Sequence, residues 1–255
     1  MLSDMKVAVL VDAENIAPKY AKLVIAEASR FGNVICKRIY GDWSDAGLSS
    51  WREPIMESSF NSVQQFHNTK GKNSSDSALI IDAMDILHGA KYQCICIISS
   101  DSDFTRLASR LRESEIYVVG MGEQKTPATF RNACDKFLYL DLLYEAIAKD
   151  SKKVSEKKSS IKKQMSVEES GLNMQLIITE IDSIISNESS EDGWILLAEL
   201  GNGLSKKLPD FDVRNFGCSK LSQFIKALDK YELKSETPDE GGPKVYSVKK
   251  MVSKK

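Results

Sequence analysis

Two apolar runs constrain the fold more than any other feature of this sequence. Residues 6–11 read KVAVLV and residues 92–98 read YQCICII, and neither shows the strict alternation of apolar and polar positions of a half-exposed strand. A strand that is apolar on both faces is typical of the centre of a parallel sheet that helices cover on both sides. The two runs therefore predict an α/β domain in which they are the central strands.

The segments around these runs predict strands that alternate with helices. The predicted strands are 6–11, 33–40, 62–67, 92–98, 116–121 and 137–140, and the predicted helices are 18–30, 51–60, 77–87, 104–113, 126–134 and a last one ending near 148. This alternation indicates βαβ units and a mainly parallel sheet. We therefore expect a three-layer α/β/α domain over residues 1–148, with 6–11 and 92–98 as its first and fourth strands.

The composition changes after residue 148. Residues 149–170 contain seven lysines among serines and glutamates and few apolar residues, which predicts a flexible linker; a basic arm that contacts nucleic acid is the alternative. Residues 171–255 form the second predicted domain. Its predicted elements are helices at 172–186, 194–208 and 217–230 and strands at 231–234 and 244–248. Three helices followed by a β-wing indicate a winged helix.

Composition excludes several classes of protein. An apolar fraction of 42% over 255 residues excludes a chain that is disordered throughout, and a net charge of −1 argues against coating nucleic acid by bulk charge. No apolar run approaches the roughly 18–20 residues of a membrane span, and the N-terminal segment lacks a signal-peptide pattern. Five cysteines without C-x-x-C spacing and only two histidines argue against a zinc site. We therefore expect a cytoplasmic protein without a membrane anchor.

Acidic residues follow several of the predicted strands. In an open parallel sheet, ligands bind beyond the carboxyl ends of the strands. The acids at that edge are Asp12, Asp42, Asp76, Asp101 and Asp103. Clustered carboxylates raise one another's pKa unless a cation neutralises them, and oxygen ligands without histidine or cysteine suit Mg²⁺ or Mn²⁺. The sequence therefore predicts an acidic metal site.

Each acid also has a structural interpretation. Asp12, Asp76, Asp101 and Asp103 each stand where a helix N-cap would. Asp42 is interpreted as a turn residue. Asp82 is six residues from Asp76, about 240° around a helix, so both do not readily face one site, and we choose Asp76 because it lies nearer the strand ends. The chain has no G-x-G-x-x-G after its first strand, which argues against a dinucleotide-binding domain. It has no G-x-S-x-G either, so it lacks the nucleophile elbow of a serine hydrolase.

The first domain contains four short motifs, at residues 11–15 (VDAEN), 40–43 (YGDW), 72–76 (KNSSD) and 99–104 (SSDSDF). In this order they resemble the motifs of NYN domains of the LabA-like type, which belong to the PIN-like nuclease superfamily, and the resemblance covers about 5–148. The second domain contains the motifs 193–197 (GWILL), 200–201 (LG), 211–214 (FDVR) and 216–224 (FGCSKLSQF). With these motifs it resembles a LOTUS (OST-HTH) domain over about 172–249.

The NYN resemblance implies metal-dependent cleavage of RNA. It assigns the acidic metal and catalytic site to Asp12, Asp76, Asp101 and Asp103, with Asn15 and Ser100 in supporting positions. The LOTUS resemblance implies RNA binding or the docking of a protein partner. Together they favour a Mg²⁺- or Mn²⁺-dependent endoribonuclease acting on single-stranded RNA. A non-catalytic RNA-binding adaptor and a DNA-binding regulator are the alternative hypotheses.

Basic side chains provide candidate contacts to RNA phosphates. They are Lys70, Lys72, Arg106, Arg110 and Arg131 in the first domain and Lys206, Lys207, Arg214 and Lys220 in the second. A solvated charged surface is the alternative for each of them. Trp43 and Trp51 suit either stacking on a base or packing in the core.

Overall fold

The computed structural model describes residues 5–66, 74–153, 174–190, 192–237 and 244–251. The chain divides into two compact units, 1–145 and 146–255, and each contains its own hydrophobic core. Among the described helices, none combines the length and the apolar composition that crossing a membrane requires.

The first unit is built on a six-stranded parallel sheet. Its strands are β1 (Lys6–Asp12), β2 (Asn33–Gly41), β3 (Asn61–Gln64), β4 (Cys94–Ile98), β5 (Tyr117–Gly122) and β6 (Lys136–Tyr139). Their order is β3-β2-β1-β4-β5-β6, and every neighbouring pair is parallel. The predicted α/β class is confirmed, and the two apolar runs are the central strands β1 and β4, since their side chains are buried on both faces of the sheet.

Helices cover both faces of this sheet. They are α1 (Ala21–Ala28), α2 (Arg52–Ser58), α3 (Ser74–His88), α4 (Thr105–Glu113), α5 (Ala128–Ala133) and α6 (Leu140–Lys153). Val9 and Ile39 share a hydrophobic core with Val24 of α1. Tyr40, the next residue after Ile39, points to the other face, where it contacts α3. The strand ends that carry the acids therefore lie in the middle of a three-layer domain.

Several helix boundaries differ from the sequence prediction, and two of them affect the site and the linker. The helix α3 begins at Ser74 instead of residue 77, so Asp76 lies within its first turn and is not its N-cap. Serine and aspartate both favour helix N-termini, so the sequence of a run of them does not show which residue begins the helix. The helix α6 continues to Lys153, past the predicted end near 148. Residues 154–170 of the predicted linker lie outside the described residues, and the linker stays a prediction.

The second unit combines helices with a small antiparallel sheet. Its elements are α7 (Met174–Glu188), β7 (Ile195–Leu196), α8 (Leu197–Lys207), α9 (Leu221–Ala227), β8 (Tyr231–Glu236) and β9 (Val245–Lys250). The strand order is β7-β9-β8, with both pairs antiparallel. This arrangement agrees with the predicted winged-helix pattern.

Two predicted helices of this unit start too early. Residues 195 and 196, predicted as helical, instead form β7, because Ile195 pairs with Val248 of β9. The helix predicted from 217 begins only at Leu221. Gly217 has a left-handed backbone conformation (φ 70°) that ends a short 3₁₀ turn, so it cannot continue into a helix.

Candidate active site

Asp12 is the last residue of β1, and its carboxylate is buried and held by four hydrogen bonds. Its Oδ1 accepts from the backbone N–H groups of Glu14 (3.1 Å) and Asn15 (3.3 Å). Its Oδ2 accepts from Asn15 Nδ2 (2.7 Å) and Ser99 Oγ (2.8 Å). Burial raises the pKa of Asp12 above its ordinary value, and these hydrogen bonds act in the opposite direction. The carboxylate is therefore fixed in place, in part by the side chain of Asn15.

Ser99 joins the ends of the two central strands. Its hydroxyl donates to Asp12 Oδ2 and accepts the backbone N–H of Asp101 at 3.0 Å. Ser100 is the serine that the sequence predicts in a supporting position, but its hydroxyl accepts the N–H of Glu123 (2.9 Å) and so holds the end of β5. Ser99 directly follows β4, which is paired with β1, and this pairing brings its hydroxyl to Asp12.

Three carboxylates converge beside this junction. Oxygens of Asp76, Asp101 and Asp103 lie within 4.8 Å of one another. Asp101 follows β4 and caps a 3₁₀ turn by accepting the N–H of Asp103 at 2.9 Å, while Asp76 arrives from the first turn of α3. Asp12 is not a member of this group of three, although its charge acts on Asp76.

The environment of Asp76 is unfavourable for a lone carboxylate. Burial, followed by the charges of Asp12, Asp101, Asp103 and Glu14, raises the pKa of Asp76 from 3.8 to about 7. Its Oδ1 is buried and finds no hydrogen-bond donor among the described residues. A bound divalent cation would relieve both the repulsion and the unmet acceptor. These oxygen donors therefore fit Mg²⁺ or Mn²⁺.

Two other acids of the same unit have structural partners. The Asp42 carboxylate accepts from the backbone N–H and hydroxyl of Ser44 and from Gln64 Nε2 (2.8 Å), which agrees with its interpretation as a turn residue. Asp82 accepts from Arg38 and Tyr40 of β2. The structure thus brings Asp76, and not Asp82, next to Asp101.

The candidate RNA-contacting residues of the first unit lie in different surroundings. Arg106 is exposed on α4, the helix that follows Asp103. Arg110 is exposed on the same helix and contacts Glu113 (3.7 Å) and Ser114 (3.0 Å). Arg131 donates to the hydroxyl of Tyr139. Lys70 and Lys72 lie outside the described residues, so their contacts with RNA stay a prediction.

Of the four basic residues named in the second unit, two take part in ion pairs. Lys207 pairs with Glu180 at 2.8 Å, and Arg214 pairs with Asp212 at 2.7 Å. Lys206 and Lys220 are exposed. The contribution of each residue to RNA binding stays a prediction.

The structure decides between the two interpretations of Trp51. Its side chain is 1% exposed, and its ring N–H donates to the carbonyl of Ala13 at 3.1 Å. A buried ring cannot stack on a base, so packing is the correct interpretation. Trp43 is partly exposed and donates to the carbonyl of Val63 at 3.0 Å.

Comparisons with known proteins agree with this geometry. A family model of the NYN domain matches residues 6–141, and a model of the OST-HTH/LOTUS domain matches residues 174–242. NYN domains are nucleases that typically use divalent metals, and LOTUS domains bind RNA. No curated protein matches the chain.

Among solved structures, one similar chain is a protein of unknown function from Vibrio parahaemolyticus. It is 19% identical, with a TM-score of 0.45, and the match covers 52% of this chain and 91% of that one. The NYN match includes all six strands of the sheet and all four candidate acids. Since it also spans more than half of the sequence, this protein belongs to the NYN domain family and carries a C-terminal OST-HTH/LOTUS domain.

Proposed function

We propose that this protein is a divalent-metal-dependent endoribonuclease that cleaves single-stranded RNA, and that its LOTUS domain supplies RNA to the NYN domain. The observation that carries this proposal is the convergence of Asp76, Asp101 and Asp103, together with the buried, unsatisfied oxygen of Asp76. A cluster of like charges destabilises a fold, and such clusters are found preferentially where they serve binding or catalysis. Membership of the NYN family supports its use in phosphodiester cleavage.

The protein residues have distinct roles in this proposal. Asp76, Asp101 and Asp103 hold Mg²⁺ or Mn²⁺, which when bound supplies activated water and charge stabilisation at the phosphodiester. Asp12 adds negative charge to the site. Ser99 fixes the orientation of Asp12 and the backbone of Asp101. Arg106 and Arg110, on the helix after Asp103, contact the phosphates of RNA.

RNA is the substrate we propose because of the second domain. The same chain carries a LOTUS domain, and LOTUS domains bind RNA. The nuclease domain carries more acidic than basic residues over 1–148, and the acids at its own site repel a polyanion, so it benefits from such a domain. A protein partner of the LOTUS domain is compatible with this role.

Cleavage of a labelled, unstructured RNA oligonucleotide tests the proposal. We expect internal cleavage by the wild-type protein in Mn²⁺ or Mg²⁺ and none in EDTA. Asp101→Asn should be slower by about 100-fold or more, because losing a ligand weakens a metal site at least as much as losing its supporting contacts. Asparagine keeps the N-cap, so the turn is preserved. Asp85→Asn is the matched control, because Asp85 is exposed on the helix that carries Asp76.

The other outcomes separate the hypotheses. Equal cleavage by Asp101→Asn and wild type would contradict the proposed site. RNA binding without turnover, over a range of metals and substrates, would favour the non-catalytic adaptor.

A further inference from the structure

Tyr40, near the end of β2, contacts both of the elements that deliver Asp12 and Asp76. Its backbone is in register with Asp12 of β1, and its carbonyl accepts the N–H of Ala13 at 3.0 Å. Its hydroxyl donates to Oδ2 of Asp82 on α3. The ring is fully buried, so this hydroxyl has one defined direction. A single residue thus links the end of β1 to α3.

Asp82 receives a second donor from the same strand. The guanidinium of Arg38 donates to Oδ1, while Tyr40 occupies Oδ2. The side chains of Arg38 and Asp82 are 34% and 21% exposed, so the ion pair is partly shielded from water. A shielded pair with several hydrogen bonds defines geometry better than an exposed one. The contact therefore fixes α3 against β2 at one point.

The position of Asp76 depends on how α3 sits on the sheet. The described buried residues of α3 form one stripe, namely Ser75, Asp76, Leu79, Ala83 and Ile86. Leu79, Ala83 and Ile86 follow Asp76 at intervals of three and four residues, which places them on one face of the helix. Asp76 lies at the N-terminal end of this stripe, about 9 Å along the axis from Asp82. Any rotation or sliding of α3 about Asp82 would carry the Asp76 carboxylate away from Asp101.

We propose that Tyr40 and Arg38 are positioning residues that, by holding Asp82, set the place of the Asp76 carboxylate relative to Asp12 and Asp101. The inference deepens the proposed function, since it rests on Asp76 as a metal ligand. Burial and the hydrogen bond to Asp82 raise the pKa of Tyr40, so its hydroxyl remains a donor at neutral pH.

The second unit contains a chemically matched contact. The hydroxyl of Tyr231 on β8 donates to Oδ1 of Asp182 on α7 at 2.9 Å, and Lys250 on β9 donates to Oδ2 at 2.7 Å. Tyr231 is buried, as Tyr40 is. Tyr231→Phe therefore removes an equivalent hydrogen bond from a unit that carries none of the four candidate acids.

The test compares Tyr40→Phe and Asp82→Asn with Tyr231→Phe in the full chain. Mn²⁺ affinity is measured by electron paramagnetic resonance titration, without RNA and well below the unfolding temperature. We expect about tenfold weaker binding for Tyr40→Phe and Asp82→Asn, the size seen when the supporting contacts of a metal ligand are removed, and no change for Tyr231→Phe. Hydrogen exchange of the metal-free proteins should be faster at the first turn of α3 in the first two variants only.

Each result bears on the inference. Unchanged Mn²⁺ affinity and unchanged α3 exchange in both variants would overturn it, and so would a lower melting temperature with unchanged affinity. If the wild-type protein bound no Mn²⁺, the proposed function would fail, and the α3 exchange data would decide the positioning role separately. If Tyr40→Phe did not fold, Asp82→Asn would supply the answer, since it alters only a partly exposed side chain.

Discussion

Each of the two units contains the same kind of local contact, but the surroundings of that contact differ. In each, an aspartate on a helix accepts from a buried tyrosine and from a basic residue, through Tyr40, Arg38 and Asp82 in the first unit. Tyr231, Lys250 and Asp182 make the same contact in the second. Only the first helix also carries an acid at the carboxyl edge of a parallel sheet. The chemistry of a contact therefore does not reveal its role until the topology shows what it holds.

The acidic residues of the two units also differ in what surrounds them. In the second unit, Glu180, Asp182 and Asp212 each contact a basic side chain at 2.7–2.8 Å. In the first unit, Asp76, Asp101 and Asp103 lie against one another. Pairing stabilises a fold, whereas crowding of like charges destabilises it and prepares a cation site. The first unit thus gives up stability at the place where we propose catalysis.

The largest of these effects is expected from removing the hydroxyl that joins the ends of β1 and β4. Ser99→Ala removes the donor to Asp12 and the acceptor for the N–H of Asp101. We expect RNA cleavage to slow by about 100-fold, the upper range for losing a supporting contact of a metal site, with about 1–3 kcal/mol of lost stability.

Ser100→Ala is the adjacent control for this change, because the Ser100 hydroxyl bonds to the backbone N–H of Glu123, whereas that of Ser99 bonds to Asp12 and Asp101. Single-turnover cleavage and urea unfolding measure the two effects. Equal activity of Ser99→Ala and Ser100→Ala would remove Ser99 from the site.

A smaller effect is expected on the free energy of unfolding when one aspartate in each unit is replaced by asparagine, and its sign should differ between the two units. The folded protein favours protonated Asp76, because its pKa is raised to about 7, so its contribution to stability declines as the pH rises from about 4 to about 7. Asp76→Asn should therefore stabilise the metal-free protein at pH 8, by about 2 kcal/mol, and much less at pH 4. Asp182→Asn should destabilise the second unit by about 1 kcal/mol, since it weakens two hydrogen bonds.

Thermal unfolding in EDTA at the two pH values tests this pair. Destabilisation by Asp76→Asn at pH 8 would contradict the crowding of carboxylates around it.

The smallest effect concerns two neighbouring lysines of α8. Lys206 is exposed, whereas Lys207 pairs with Glu180. Lys206→Ala should weaken RNA binding about threefold. It should also lower, by about one, the number of counterions released on binding, which the slope of log affinity against log salt concentration measures. Lys207→Ala should change affinity less, because its charge is already partly neutralised. Fluorescence anisotropy at several salt concentrations measures both, and the reverse order would show that the ion pair opens on binding RNA.

Much of the fold follows from local sequence patterns. The runs at 6–11 and 92–98 predict central strands, and they are central because only there are both faces of a strand covered. The two-residue strand β7 escapes prediction, since Ile195 becomes a strand only by pairing with Val248, 53 positions later. Short strands depend on such distant partners more than on intrinsic preference.

Less of the candidate site than of the fold could be predicted from the sequence. Acids after β1 and β4 are expected at one edge because parallel strands end there together. The choice between Ser99 and Ser100 is not readable from the run SSDSD, because either hydroxyl is a plausible partner. Their directions depend on how the chain leaves β4, and the hydrogen bonds show that Ser99 turns to Asp12.

The sequence by itself determined which strands are central and that acids follow their carboxyl ends, because both depend on the period and order of residues along the chain. The position of Asp76 near the strand ends already favoured it over Asp82, but only the tertiary structure brings Asp76 to Asp101 and Asp103 and turns Asp82 to Arg38 and Tyr40. The physical reason is that the rotation of a helix about its axis is set by packing. Its buried stripe and its contact with β2 are formed with residues that lie far away in the sequence.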